Sequence, residues 1–243
     1  MIHLSNVTDT PHLFGKHTDL FVDASLYLPE GCYALLSHRP ELHRGVLDIL
    51  GHLRSPRHGI VQHDMLISWP IGRMGFIRGK LTGLQIARFI CEMYGIEAEN
   101  CYNFLYGILT SPEYLEKEVA AWPNYMRQEY TFSIGLVPDF DAFIVDAAFP
   151  VPNSRFGRIW NALFNERLEG RSLILSGHND RQIRNYCAKA LVYDQGTLRV
   201  DDNLDSCLKH YPLKPFQTER LLAERERASA IDESFDEQTI FIA

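Results

Sequence analysis

The sequence predicts an α/β protein with a mostly parallel core sheet, an antiparallel β-subdomain at its amino end and a helical subdomain. Three observations carry that expectation. Residues 139–146, DFDAFIVD, form a short apolar run closed by Asp146. This is the pattern of a strand buried on both faces of a parallel sheet, with an acid at the carboxyl end where open α/β sheets bind ligands. Near the amino terminus Val22, Ala24, Leu26 and Leu28 alternate with other residues, as in a half-covered antiparallel strand. Between these two regions Ile86, Phe89, Ile90 and Met93 recur at helical spacing and predict an amphipathic helix.

Along the chain, residues 2–8 and 20–28 read as strands joined by a polar, turn-rich link. Pro29, Glu30 and Gly31 form a turn, and residues 32–36 a third, buried strand. Residues 67–72, ISWPIG, read as a loop with an exposed Trp-Pro pair. The helix over 85–95 has Thr82 as its expected N-cap and Gly95 as its C-cap. Residues 97–120 read as helical with a polar face, and residues 126–136 as a further helix. Residues 156–168 form an amphipathic helix, 172–176 a buried strand and 181–187 another helix. Residues 190–194 and 197–200 read as a hairpin around Gln195-Gly196.

The segment after the third strand is informative by its omissions. A strand feeding a phosphate loop continues G-x-x-x-x-G-K-[ST], with backbone amides cradling phosphate and the lysine reaching the β/γ-phosphates. Here the text is SHRPELHRG over residues 37–45. The lysine and the Ser/Thr that would ligate Mg²⁺ are missing. Pro40 removes a donor amide, and Glu41 brings negative charge to where phosphates would lie. In this degenerate loop, which starts at Ser37, His38, Arg39, His43 and Arg44 could still bind an anion; the plainer expectation is a solvated loop followed by an ordinary helix. His38, His43, His52, His58 and His63 match no metal-binding spacing, so no metal site is expected.

Composition bounds the classes of function. The chain has 243 residues, 46% hydrophobic and 23% charged, which suits a soluble globular protein of one domain, or one with a small subdomain. A net charge of -7 argues against nucleic acid as a partner. The five cysteines form no CxxC pair, the count is odd and no signal peptide is visible, so free thiols in a reducing cytosol are expected. No apolar run approaches the roughly 20 residues of a membrane span. Work at a membrane would then depend on a partner.

The stretch ISWPIG…GF…LTG…ARFICEMYG, over residues 67–95, resembles the segment around the Q-loop of the ATP-binding subunits of capsular-polysaccharide ABC exporters of the ABC-2 type. The resemblance covers about Met1 to Tyr211. It implies the ABC-ATPase form of the P-loop NTPase fold over residues 1–211, with a helical subdomain at about 84–138. Residues 212–243 come next as a charged helix, an acidic run and an apolar end that either adds to a sheet edge as a strand or frays. In this likeness Asp146 matches the Walker B aspartate, which in P-loop ATPases helps hold Mg²⁺. Ala147 stands where the catalytic glutamate belongs, and His178 matches the switch-loop histidine. WPNYM at 122–126 stands where the family has YSSGM, with Asn124 and Tyr125 in place of the serine and glycine that grip phosphate.

The resemblance therefore implies a degenerate, non-hydrolysing ABC subunit tied to export of a capsular or other cell-surface polysaccharide. It would act as a scaffold or regulator, with no cofactor, docked on an ABC-2 permease or paired with a functional ATPase subunit as a dimer. Its place would be the cytoplasmic side of the inner membrane, held there by the partner. Trp69, Phe76 and Arg78 are the expected docking residues, with packing between subdomains as the other reading of the two aromatics. The alternative is an active subunit that binds ATP and Mg²⁺ through an unorthodox phosphate loop using Arg39 or Arg44. A cytosolic interaction module unrelated to export is the third class.

Overall fold

The computed structural model describes residues 1–13, 15–73, 77, 79–211 and 213. Strand β1 (Ile2–Asp9) is followed by a two-stranded hairpin, β2 (His12–Leu13) and β3 (Lys16–His17), inside the segment expected to be a plain link. Strand β4 (Phe21–Leu28) returns antiparallel to β1, and β5 (Cys32–Leu36) enters the core. A 3₁₀ turn at Pro40–Leu42 leads into α1 (His43–Leu50). Strand β6 (His58–His63), not foreseen, pairs with the other side of β1.

Strand β7 (Ile67–Ile71) corrects the expected Trp-Pro loop. It lies at the end of the six-stranded sheet and pairs with β8 (Ala142–Val145). A proline is tolerated on an edge strand because the missing amide faces the unpaired side. Where the ladder skips between Ile67 and Pro70, Ser68 fills in: its Oγ accepts from the Ile144 amide at 2.8 Å.

Among the described residues, three α-helices separate β7 from β8. In α2 (Gly83–Tyr94), Thr82 and Gln85 form a reciprocal capping box, and Gly95 closes the helix at φ 66°, a left-handed value that favours glycine. The buried stripe is Gly83, Ala87, Ile90 and Cys91; of the expected face Ile90 is buried and Ile86 partly so. Phe89 and Met93 are both exposed. The apolar period identifies the helix but not which of two adjacent stripes meets the core. Helix α3 (Ala98–Ile108) stops well short of residue 120, and the remainder forms short 3₁₀ turns at Pro112–Tyr114 and Val119–Ala121. Pro112 excludes helical continuation because it restricts the residue before it. Helix α4 (Asn124–Ile134) completes the group.

After β8 come α5 (Arg155–Leu168), β9 (Ser172–Leu175) and α6 (Asp180–Tyr186). The chain then forms the hairpin β10 (Lys189–Asp194) and β11 (Thr197–Asp201), and α7 (Leu204–His210). The six-stranded order is β11-β10-β5-β9-β8-β7, parallel except for β11. The charged helix, acidic run and apolar end expected beyond Tyr211 lie outside the described residues.

The central sheet is a wall between two cores. Tyr33, Leu35, Ile144, Ile174 and Leu191 face α1 and the β4-β1-β6 sheet, while their neighbours Ala34, Leu36, Phe143, Val145, Leu173 and Leu175 face the helices. This is the alternation a strand imposes when both faces are covered. The five cysteines are free thiols, four of them buried.

At the margin of the antiparallel sheet His52 stacks on His63, with ring centroids 4.0 Å apart, and donates from Nε2 to the Val61 carbonyl at 2.8 Å. Burial, and then the nearby His52, push the His63 pKa down to about 4. The folded state therefore refuses a proton that the unfolded chain accepts near pH 6.5. The contribution is complete above that value, declines as pH falls, and is gone near pH 4. Discounted for the half-exposed ring, it amounts to roughly 1 kcal/mol. Thermal melts between pH 7 and pH 4.5 are expected to show a smaller acid loss for His63→Gln than for wild type; equal losses would show that other groups set the slope.

Candidate functional site

Four strand ends converge at the carboxyl edge of the parallel sheet. Ser37 follows β5, Gly72 and Arg73 follow β7, Asp146 and Ala147 follow β8, and Ser176, Gly177 and His178 follow β9. The β8–β9 pairing runs in register to Val145 and Leu175, so Asp146 and Ser176 come next side by side. Helix α1 starts opposite them with His43 and Arg44. Measured from Ser37 in the phosphate-loop pattern, His43 occupies the lysine position and Arg44 the Mg²⁺-ligating Ser/Thr position.

The expected solvated loop is corrected here. Ser37 and His43 are 1% and 3% exposed. His43 bridges two hydroxyls, with Nε2 2.8 Å from Ser37 Oγ and Nδ1 3.0 Å from Ser176 Oγ. Ser37 Oγ also accepts from the Arg39 amide at 3.1 Å. The imidazole thus ties the loop after β5 to the end of β9, and both of its ring nitrogens are engaged in that bridge. His38 and Arg39 are exposed: the His38 ring lies 4.7 Å from that of Tyr211 and 5.2 Å from that of His210, and Arg39 donates to Glu41.

Arg73 is a site residue that no motif announces. Its Nε and Nη2 donate to one oxygen of Asp146 at 3.2 and 3.0 Å. Nη1 donates to Asp48 on α1, and Nη2 approaches the Arg44 carbonyl at 3.5 Å. Gly72 makes this reach possible. Its φ of +85° suits glycine, and a Cβ there would fall 2.6 Å from the Ala147 methyl and 2.7 Å from the Phe132 ring. The only signal in the sequence is a glycine-arginine pair at the end of a strand that Pro70 disguises as a loop.

The other expected residues are dispersed. His178 is half-buried in the bend after β9. Asn124 and Tyr125 are exposed at the start of α4, and the Tyr125 hydroxyl lies 3.0 Å from Ser111 Oγ. Trp122 is buried and donates to the Lys117 carbonyl at 3.0 Å. Trp69 corrects the surface-anchor expectation: it is 7% exposed, with its ring edge-on to Phe140 at 5.3 Å and 6.2 Å from Tyr94 of α2. An aromatic on β7 points into the core because that face of the sheet is covered by the helices. Phe76 and Arg78 lie outside the described residues. Among the described residues there is no group of three or more His, Cys, Asp or Glu placed to hold a metal ion, and no helix is long and apolar enough to cross a membrane.

A six-stranded, mostly parallel sheet with an antiparallel sheet on one face, a helical insertion before the acid-terminated strand and a histidine after the next strand is the architecture of an ABC ATPase cassette. The dimeric ATP-binding cassette MJ0796, in a post-hydrolysis state bound to ADP and Pi, superposes with a TM-score of 0.63 at 15% identity, over 83% of this chain and 98% of that one. No family model matches the chain. Its homologues are ATP-binding proteins of capsule and polysaccharide export, at about 25% identity. The capsule polysaccharide export ATP-binding protein CtrD of Neisseria meningitidis serogroup B is 26% identical over 170 residues, 70% of this chain and 79% of the relative. The polysialic acid transport ATP-binding protein KpsT of Escherichia coli is 25% identical over 220 residues, 88% of this chain and 97% of the relative.

Replacing His43 with alanine would remove a partner from two buried hydroxyls and open a cavity. His43→Ala is expected to lower unfolding free energy by roughly 2–4 kcal/mol in urea titrations. Ser176→Ala removes one of the two bonds and is expected to lower it by about 1 kcal/mol. Near-wild-type midpoints for both variants would show that the bridge is dispensable.

Proposed function

We propose that the chain is a non-hydrolysing ABC subunit of a capsular or other cell-surface polysaccharide exporter, acting as a scaffold or regulator at a membrane permease. The observation that carries the reading is the state of the phosphate loop. The lysine position holds a histidine bonded on both sides within the protein, and the Mg²⁺-ligand position holds Arg44. Phosphoryl transfer depends almost wholly on positioning and charge stabilisation, so a loop without lysine, hydroxyl ligand or the pattern's glycines loses both. Ala147 offers no carboxylate to orient water. The ATP and Mg²⁺ that the relatives imply do not fit this donor set, and no catalytic step runs through them.

Both halves of a composite site are affected. ABC cassettes pair head to tail, each phosphate loop facing the partner's signature segment. With the loop replaced and Asn124-Tyr125 in the signature place, a pairing with an intact ATPase would leave neither site complete. Regulation or scaffolding therefore fits better than the passive half of a heterodimer. Docking through Phe76 and Arg78 belongs to the same proposal. The exposed apolar side chains of Leu81, Phe89 and Met93, at and along α2, support it by offering apolar contact area on the helical layer. Such a subunit would lie at the cytoplasmic face of the inner membrane, reached through the partner.

A second reading is favoured by one observation, the match to KpsT across 88% of the chain. It makes the chain a working ATP-binding subunit whose phosphate contacts come from Arg39 or Arg44. Nucleotide binding separates the two. Millimolar Mg-ATP is expected to leave the melting temperature unchanged, because only a ligand that binds the native state raises it. An ATP-dependent rise would favour the second reading. Ala147→Glu alone is expected to yield no ATPase activity, and measurable turnover would overturn the non-hydrolysing reading. Co-purification with a permease encoded nearby is expected for wild type and to weaken in folded Phe76→Ala and Arg78→Glu variants; undiminished capture would remove those two residues from the docking face.

A further inference from the structure

We propose that Arg73 is a built-in cation that takes the place of Mg²⁺ in this cassette and holds the carboxyl edge of the sheet together without a ligand. This rests on the non-hydrolysing reading of the site and names the residue responsible. In P-loop ATPases the metal is held by the Walker B aspartate and the Ser/Thr next to the loop lysine. The corresponding positions here are Asp146 and Arg44. The Arg73 guanidinium touches both: Nη2 lies 3.0 Å from Asp146 Oδ2 and 3.5 Å from the Arg44 carbonyl. Its other arm reaches Asp48, one turn further along α1.

The electrostatics favour a fixed partner over an exchangeable one. The side chain of Asp146 is 5% exposed and that of Arg73 is 12% exposed. A carboxylate so enclosed requires a neighbouring positive charge, and an arginine fork supplies both charge and directed donors. The chain delivers that fork from the end of β7, through a glycine that fits against Ala147. One guanidinium therefore links the carboxyl ends of β7 and β8 to α1, at the place where a P-loop ATPase holds its metal. Arg73 is accordingly held at the site by side chains of the chain itself.

The test uses the full chain, MgCl2 alone as probe, and two variants. Arg73→Met keeps an unbranched side chain but removes the charge. It is expected to lower the melting temperature by roughly 10 °C, as for a buried pair broken on one side in a domain of this size. Arg73→Met with Asp146→Asn removes the carboxylate that Arg73 neutralises as well and is expected to recover at least half of that loss. Millimolar MgCl2 is expected to raise the melting temperature of Arg73→Met, and to leave wild type and the double variant unchanged. If Arg73→Met does not fold, a folded double variant still supports the role, and failure of both overturns it. Equal losses in single and double variants, or a Mg²⁺ response identical in all three proteins, also overturn it. An ATP-dependent rise in wild type would instead count against the non-hydrolysing reading, so the two failures are distinguishable.

Discussion

A carboxylate at the end of a central strand sets the terms for everything around it. Asp146 sits at the carboxyl edge of β8, enclosed by β7, β9 and α1, where an unpaired charge would be strongly destabilising. The fold answers with Arg73, and that single guanidinium fixes the geometry of its surroundings. It requires Gly72 at a left-handed backbone angle and a small side chain at position 147 beside it. It also requires Asp48 on the facing side of α1. The His43 bridge does the same work one strand further along the sheet, linking the loop after β5 to the end of β9 through its two ring nitrogens. Side chains supplied by the chain itself thus hold this edge of the sheet together.

The helical region is held by contacts of a different kind. α2, α3 and α4 present small or aromatic side chains inward, among them Ala87, Cys91, Cys101 and Tyr130, while α2 keeps Phe89 and Met93 outside. The Tyr130 hydroxyl donates to the Gly83 carbonyl at 2.7 Å, pinning α4 to the first turn of α2. That bond satisfies a buried hydroxyl and sets the angle at which the outer face of α2 is displayed.

Much of the fold is legible in the sequence because its strands are short apolar runs with clear punctuation. β5, β8 and β9, and the β10–β11 turn at Gln195-Gly196, fall where pattern places them. β7 is hidden by Pro70, which argues against a strand unless the strand is known to be at an edge, and edges are a property of the assembled sheet. The buried stripe on α2 escapes pattern because Ala87 and Cys91 are weak hydrophobic signals beside Phe89 and Met93. At the candidate site, the missing lysine and glutamate are read directly. Their replacement is not, because Arg73 finds its partners 25 and 73 residues away. No local spacing encodes such a meeting. Burial likewise turns Ser37 and His43 from loop residues into a bridge, and turns Trp69 from a surface aromatic into a core one.

The alternation along the central strands has a thermodynamic corollary. Neighbouring residues of β5, β8, β9 and β10 belong to opposite cores, so each strand is a structural member of both. Neither core can lose its packing while the strands that carry the other stay ordered. The antiparallel sheet and the helical layer are therefore tied into one cooperative unit, although they lie on opposite faces and are far apart in the chain. Calorimetrically such a domain is one melting species, and cutting it into an amino-terminal β-fragment and a helical fragment would leave two chains that each expose half of a shared wall.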